Sequence, residues 1–313
     1  MKLRRYKDNP ILKPNENNWW ESKAVFNPAT IYKDGLVYLI YRAIGEYENY
    51  ISRFGLAVSR DGLNFERVSN EPIFEPQEEY ERWGCEDPRI TELEGKLYLT
   101  YVAHSKPALN GSGARSALAS TQDLRNFKRQ WIITPDRAID RDTVLFPEKI
   151  NNRYVMLHRP LNWVGPEYNT DNPSIWIAYS NDLKEWFNHK PIMKPQKTWE
   201  SYKIGAGPPP IKTEYGWILI YHGVERKREK NIYRVGAALL DLSDPSRIIS
   251  RSDEPILEPQ EEYEKKGDTQ DVVFPEGSVL LDERLYIYYG AADKTCCLAT
   301  INLKDLIDWL KGL

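Results

Sequence analysis

Along most of this chain apolar and polar side chains alternate, or apolar residues run unbroken for four to eight positions, and these runs are rich in Val, Ile, Tyr and Trp. Successive strand residues point to opposite faces, so a period of two predicts β-strands, whereas helices space apolar residues three and four apart. The same succession recurs five times. Its most legible strand reads VYLIYRA (37–43), LYLTYVAH (97–104), YVMLHRP (154–160), WILIYHG (217–223) and LYIYYGA (285–291). Each follows a turn: Lys33-Asp34-Gly35, Glu94-Gly95, Asn151-Asn152, Tyr215-Gly216 and Asp282-Glu283. Another strand comes next, as in RFGLAVSRDGLNF (53–65) and RSALASTQDLRNF (115–127), with small residues such as Gly55, Ala117 and Gly236 that suit close approach of neighbouring strands. An Asp just beyond it predicts a turn capped by its own side chain. Turns spaced roughly 55–70 residues apart predict a propeller or a solenoid. The last residues, 303–313, switch to helical spacing and predict a short amphipathic helix that closes the fold.

Pro-bounded tails join the copies: EPIFEP (71–76), WIITP (131–135), KPIMKP (190–195) and EPILEP (254–259). Residues 71–82 and 254–265 agree at ten of twelve positions, EPIFEPQEEYER against EPILEPQEEYEK. Blocks of like charge usually face water, so the duplicate reads as a blade connector with a solvated Glu-rich face, in preference to a metal or partner site. The basic run Arg226-Lys227-Arg228-Glu229-Lys230 reads as a mobile loop, with a lid over an anionic substrate as the alternative.

Composition narrows the class. Repeats spread evenly over 313 residues favour one domain, 1–313, and 41% hydrophobic residues supply a sizeable core. The 10 Trp and 20 Tyr suit packed sheets or stacked sugars. A net charge of −3 argues against a nucleic-acid binder that works by general phosphate neutralisation. No stretch reaches the ~18 apolar residues of a spanning helix. The beginning, MKLRRYKDNPILKP, has no apolar core of a signal peptide, so a cytoplasmic protein is expected. Cys85, Cys296 and Cys297 have the spacing of neither a disulfide framework nor a zinc ribbon and read as reduced, packed thiols.

A propeller focuses one end of every repeat on a central funnel. Aligning the copies there gives Phe26-Asn27-Pro28, Cys85-Glu86-Asp87-Pro88-Arg89, Leu145-Phe146-Pro147-Glu148-Lys149, Gly207-Pro208-Pro209-Pro210 and Val273-Phe274-Pro275-Glu276 at strand entrances. The ends of the following strand give Arg42, His104, His158-Arg159, His222 and Asp293, so three of the four histidines fall at one repeated position. Inverting hydrolysis of a glycoside needs an acid and a carboxylate base. Here guanidinium groups sit among the carboxylates, and they match phosphate through forked, charge-assisted hydrogen bonds. One acid among several Arg, Lys and His fits a phosphate that is itself the nucleophile. Asp87 is the candidate acid: Pro88 holds it extended, and neighbouring Glu86 makes ionising both carboxylates costly.

These residues carry a resemblance. Trp83-Gly84-Cys85-Glu86-Asp87-Pro88-Arg89, Phe146-Pro147-Glu148-Lys149, Leu157-His158-Arg159-Pro160, Gly205-Ala206-Gly207-Pro208-Pro209-Pro210 and Tyr289-Gly290-Ala291-Ala292-Asp293 occur in the order found in glycoside hydrolase family 130, and the likeness spans essentially the whole chain. That family is similar in being built of five-bladed all-β propellers that phosphorolyse β-mannosides with inversion to α-mannose 1-phosphate. The resemblance implies that Asp87 is the general acid, acting through the mannose 3-hydroxyl. It implies phosphate contacts from Arg141, Arg159, Lys203, His222 and Tyr233, and a grip on the mannosyl unit by Asn27, Arg42 and Asp293, with Glu86 as a further substrate contact. Arg141 and Lys203 rest on the resemblance alone. The expected substrates are inorganic phosphate and a short β-1,4-mannoside: mannobiose, mannosyl-N-acetylglucosamine or mannosyl-glucose. No metal or cofactor and no membrane partner is expected, and assembly into a homo-oligomer is. Three alternatives stand beside this reading. They are an inverting β-mannosidase with Glu148, Asp271 or Glu276 as base, a non-catalytic glycan-binding propeller, and a zinc site from His104, His158 and His222. The preferred sugar depends on loops 44–53, 105–114, 161–172 and 224–232.

Overall fold

In the computed structural model, which describes residues 1–107 and 112–313, the five copies are five antiparallel sheets arranged as a five-bladed β-propeller. Part of loop 105–114, residues 108–111, therefore lies outside the described residues. From the axis outward, the first blade is Ala24–Lys33, Leu36–Ile44, Ser52–Ser59 and Glu66–Arg67. The second is Cys85–Leu93, Lys96–His104, Ala114–Thr121 and Phe127–Ile132, and the third is Asp140–Leu145, Tyr154–Pro160, Ile175–Ser180 and Trp186–Met193. The fourth is Lys203–Ala206 with Ile211–Thr213, then Gly216–Lys227, Lys230–Leu240 and Ile248–Arg251. The fifth is Val273–Leu281, Arg284–Ala291, Thr295–Asn302 and, from the start of the chain, Arg4–Arg5. Arg4 pairs with Thr300 and Arg5 with Ala299, so the two chain ends close the ring together. Two residues are too few for alternation to register, and this strand is not legible in the pattern.

The alternation predicts the core. Facing blades bury their apolar sides against each other: Ile40 and Phe54 of the first blade pack with Leu99 and Tyr101 of the second, Phe54 edge-on to Tyr101 at 6.3 Å. Each such fully buried side chain contributes roughly 1.5–3 kcal/mol. The expected Asp turns are present: the Asp61 carboxylate accepts the amides of Leu63 and Asn64 at 2.8 and 2.9 Å, and Asp123 and Asp182 repeat the arrangement. The closing helix is Leu303–Lys311, capped by the Asn302 side chain, with Leu306 and Leu310 buried. All three cysteines are free and buried.

A buried lock recurs in four blades. A Tyr of the second strand donates its hydroxyl to a fully buried Glu of the connector, and an Arg of the outer strand closes on the same carboxylate. The sets are Tyr41–Glu21–Arg67, Tyr101–Glu81–Arg129, Tyr221–Glu200–Arg251 and Tyr289–Glu264–Arg5. This corrects the reading of the acidic duplicate. It is a connector, but Glu81 and Glu264 turn inward, because each also caps two connector amides: Gln77 and Glu78, or Gln260 and Glu261. The basic run is also no loop. Strand pairing continues out to Lys227 opposite Lys230, so the segment is the tip of a long hairpin, with the Arg226 guanidinium over the Tyr202 ring at 4.2 Å.

Candidate active site

The innermost strands are interrupted where they face the axis. Register skips two residues between Phe26 and Ala29, between Glu86 and Arg89, and between Arg141 and Val144. The first skipped residues, Asn27, Asp87 and Asp142, have φ of 48°, 52° and 57°, so Asp87 is left-handed and not in the extended form that the following Pro88 predicts. This left-handed region is uncommon for residues other than Gly and is tolerated best by Asn and Asp. Bulges re-aim side chains, and these three line one cavity of about 320 Å³. The fifth blade skips one residue, Glu276, and the Pro-rich stretch after Ala206 breaks the inner strand of the fourth.

The register revises the sequence alignment in two places. In the third blade the position equivalent to Asn27 and Asp87 is Asp142, not the Phe146-Pro147 segment. Glu148 lies on the surface, 2.6 Å from Lys212. The three histidines also do not share one position. His222 pairs across from Gly205 as Arg42 does from Phe26 and Arg159 from Arg141. His158 sits one residue earlier, where the other blades have the lock Tyr, and His104 ends its strand two residues beyond Val102, the partner of Glu86. Each meets a different carboxylate: His104 with Glu86 at 3.0 Å, His158 with Asp140 at 2.6 Å, His222 with Asp142 at 3.5 Å. Among the described residues no group of three or more His, Cys, Asp or Glu has metal-binding geometry.

The cavity walls combine acids and bases. Asp87, Asp142 and Asp293 line it with Arg42, Arg141, Arg159 and Lys203, and Asn27, Tyr233 and Phe274 complete the part that concerns chemistry. Asp87 Oδ1 accepts from Asn27 Nδ2 at 2.9 Å and Arg42 Nη1 at 3.0 Å, while Oδ2 has no hydrogen-bond partner among the described residues. Arg159 Nε lies 2.7 Å from Asp142 Oδ2, and its buried Nη1 has no hydrogen-bond partner among the described residues. Burial, then the nearby Arg159, pushes the Lys203 amine down to about 7, against the opposing pull of Asp142. Burial pushes Asp293 up to about 6, with Thr269 and Arg42 opposing, and pushes Tyr233 up to about 12. Asp293 is therefore poised to exchange a hydrogen bond with a hydroxyl in either role.

Two expected contacts lie behind the walls. Glu86 is buried, 2.6 Å from Arg42, 3.0 Å from His104 and 3.0 Å from Arg141. Burial alone raises its pKa, but Arg42, His104 and Arg141 outweigh it and hold Glu86 well below the usual carboxylate range. It is an anion that positions Arg42 and Arg141. His222 is wholly buried, its ring 4.4 Å from that of Phe274. Burial, then Arg159 and Arg89, holds it well below its usual range, so it is neutral at pH 7. Gly205 leaves room for this packing, since a Cβ there stands 2.0 Å from Asp142 Oδ2 and 2.5 Å from His222. Arg89, unassigned by sequence reasoning, crosses the axis: it donates to the carbonyl oxygens of Asp87 and Gly207 and lies 3.4 Å from Asp142 and 3.2 Å from Glu276. Burial, against Arg89 and with Asp87, raises Glu276 well above its usual range.

With this geometry in place, comparison with known proteins is decisive. The sequence profile described as beta-1,4-mannooligosaccharide phosphorylase, that of glycoside hydrolase family 130, matches residues 2–312. The chain belongs to this family. A 1,2-beta-oligomannan phosphorylase of Thermoanaerobacter sp. (strain X514) is 45% identical over 98% of this chain and 99% of its own length. A beta-1,4-mannooligosaccharide phosphorylase of Ruminococcus albus is 33% identical over 98% of this chain and 90% of its own length. Among solved structures, the beta-1,2-mannobiose phosphorylase of Listeria innocua in complex with beta-1,2-mannobiose superposes with a TM-score of 0.86, at 30% identity and with 100% of both chains covered. This family 130 member is an enzyme of the mannosyl phosphorylase type, which transfers a glycosyl unit to phosphate. No helix among the described residues is long and apolar enough to cross a membrane.

Proposed function

We propose that the chain phosphorolyses short β-linked mannosides with inversion, and that β-1,2-linked mannobiose and its longer homologues are its preferred substrates. The observation that carries the reaction class is the clustering of Arg141, Arg159, Lys203 and Tyr233 on the same cavity as Asp87, with Arg159 Nη1 unpartnered among the described residues. Three cationic side chains on one wall suit a dianion that serves as nucleophile. Two carboxylates that could activate water are placed otherwise: Asp142 is held by Arg159 and Glu148 is on the surface. In this reading Asn27, Arg42 and Asp293 grip the mannosyl unit. Asp87 gives a proton towards the leaving oxygen through the sugar 3-hydroxyl, the C1–O bond of the β-mannoside breaks, and a phosphate oxygen forms the α bond to C1. His222 and Glu86 support the walls from behind. The relatives support the linkage: the 45%-identical one and the superposed structure are named for β-1,2-mannosides. The β-1,4 linkage is the second reading, favoured by the family description and the Ruminococcus relative.

The test incubates the protein with β-1,2- and β-1,4-mannobiose, with and without phosphate. The expected result is α-mannose 1-phosphate from the β-1,2 substrate only when phosphate is present. Equal release of mannose without phosphate overturns phosphorolysis, and faster turnover of the β-1,4 substrate overturns the linkage.

A further inference from the structure

The third blade departs from the Tyr–Glu–Arg lock of the other four. His158 takes the place of the Tyr, and His189 of the outer strand faces it where the others bring an Arg. His158 Nδ1 lies 2.6 Å from Asp140 Oδ2, His158 Nε2 lies 3.0 Å from His189 Nδ1, and His189 Nε2 lies 3.2 Å from the carbonyl oxygen of Trp186. Three hydrogen bonds in a row need three protons. The chain ends on two acceptors, a carboxylate and a backbone carbonyl, and two neutral imidazoles supply only two N–H groups. We propose that Asp140, His158 and His189 form a relay whose two rings hold one proton more than their neutral forms, and that this relay fixes the strand pair presenting Arg141 and Arg159 to the cavity.

The surroundings say where the charge sits. Burial and the adjacent His158 push His189 down to about 4, so the extra proton belongs on His158, against Asp140. Both atoms of that pair are fully buried, and the edges of Trp163 and Trp176 enclose the His158 ring, with centroids at 5.9 and 6.5 Å. The link to the site is direct. Asp140 Oδ1 accepts the backbone N–H of Arg159 at 3.1 Å, and Arg141 pairs with Arg159 across the two strands. The other end of the relay reaches solvent, for His189 borders an outer groove of about 400 Å³. The charged groups facing it there are Arg115 and Asp136 from the second blade and its connector, and Lys184 and Glu185 from its own. Losing the third proton turns a short charge-assisted bond into an unfilled one and loosens the carboxylate that holds Arg159. His158, Asp140 and His189 are thus positioning residues.

Histidine-ring ¹⁵N NMR of the full chain, free of phosphate and sugar, counts the protons. His158→Gln and His189→Gln assign the signals. The expected spectrum at pH 7 shows both ring nitrogens of His158 protonated and a single N–H on His189. Only two ring N–H groups on the pair at pH 7 overturn the proposal, including the case in which the proton resides on Asp140. A second readout rests on the anion-binding reading of the cavity: at pH 7 sulfate binds folded His158→Phe at least fivefold more weakly than the wild type. Wild-type sulfate affinity in folded His158→Phe overturns the positioning role. Because the proton count is made on the unliganded protein, it stands or falls separately from the substrate assignment.

Discussion

Asp87 is held by two donors on one oxygen while the other is free, an arrangement that fixes the carboxyl without neutralising its function. Asp87→Asn keeps the shape and loses the proton. It is expected to lower turnover by about 10²–10⁴-fold while leaving the melting temperature close to wild type, measured by phosphate-dependent sugar-phosphate release. Arg159→Ala is expected to raise KM for phosphate at least tenfold with a smaller change in kcat. Lys203 gives a pH-dependent signature. Its amine sits at about 7 in the empty site, so at pH 8 it is mostly neutral, and a bound anion raises its pKa. Sulfate binding at pH 8 is therefore accompanied by proton uptake, read by calorimetry in buffers of different ionisation enthalpy, and Lys203→Arg abolishes the uptake. Asp87 and Asn27 were legible because each precedes a Pro at a strand entrance. Their third-blade counterpart Asp142 precedes Thr143, and the nearby Pro147 drew the alignment four residues too far. Arg141 and Lys203 carry no repeat signal: the positions in register with Arg141 hold Phe26, Glu86, Gly205 and Phe274, and Lys203 is in register with Ala24. They were visible only through the family resemblance.

At the scale of elements, strand chemistry was readable wherever alternation ran for six residues or more, which covers the second and third strands of every blade. Outer strands such as Glu66–Arg67 and Arg4–Arg5 are too short to show a period. The buried locks were misread for a different reason. Glu81 and Glu264 stand in runs of like charge, and the partners that join the amide caps in turning them inward, Tyr101, Arg129, Tyr289 and Arg5, are distant in the chain. The inner bulges depend on close approach between blades. Gly205→Ala places a methyl against the Asp142 carboxylate and is expected to cost about 1–3 kcal/mol in denaturant unfolding, and to weaken phosphate binding by displacing the partner of Arg159. If the unfolding midpoint and KM are both unchanged, the packing of Asp142 under Arg159 does not matter as described.

For the whole molecule the decisive contact joins the first residues to the last blade. Arg5 Nε donates to the buried Glu264 at 2.8 Å, and Tyr289 and two amides satisfy the remaining acceptors. Removing Arg5 leaves a buried carboxylate without its cation, so Arg5→Ala is expected to lose about 3–5 kcal/mol despite the brevity of its strand. Burial raises the Glu264 pKa, but Arg5 and the amides of Gln260 and Glu261 outweigh it and lower it overall. A depressed carboxyl contributes stability above its unfolded value, about 4.3, and that contribution disappears as pH falls through the folded value. The acid limb of wild-type unfolding should therefore be shallower in Arg5→Ala. There is also a consequence in time. Arg5 and Glu264 are 259 residues apart in the chain. At about 5–20 residues per second of synthesis, the opening residues leave the ribosome on the order of tens of seconds before their carboxylate exists. Four blades can assemble as they are made, but a nascent chain holds an unpaired sheet edge, and Arg5 without its carboxylate, until the final blade arrives.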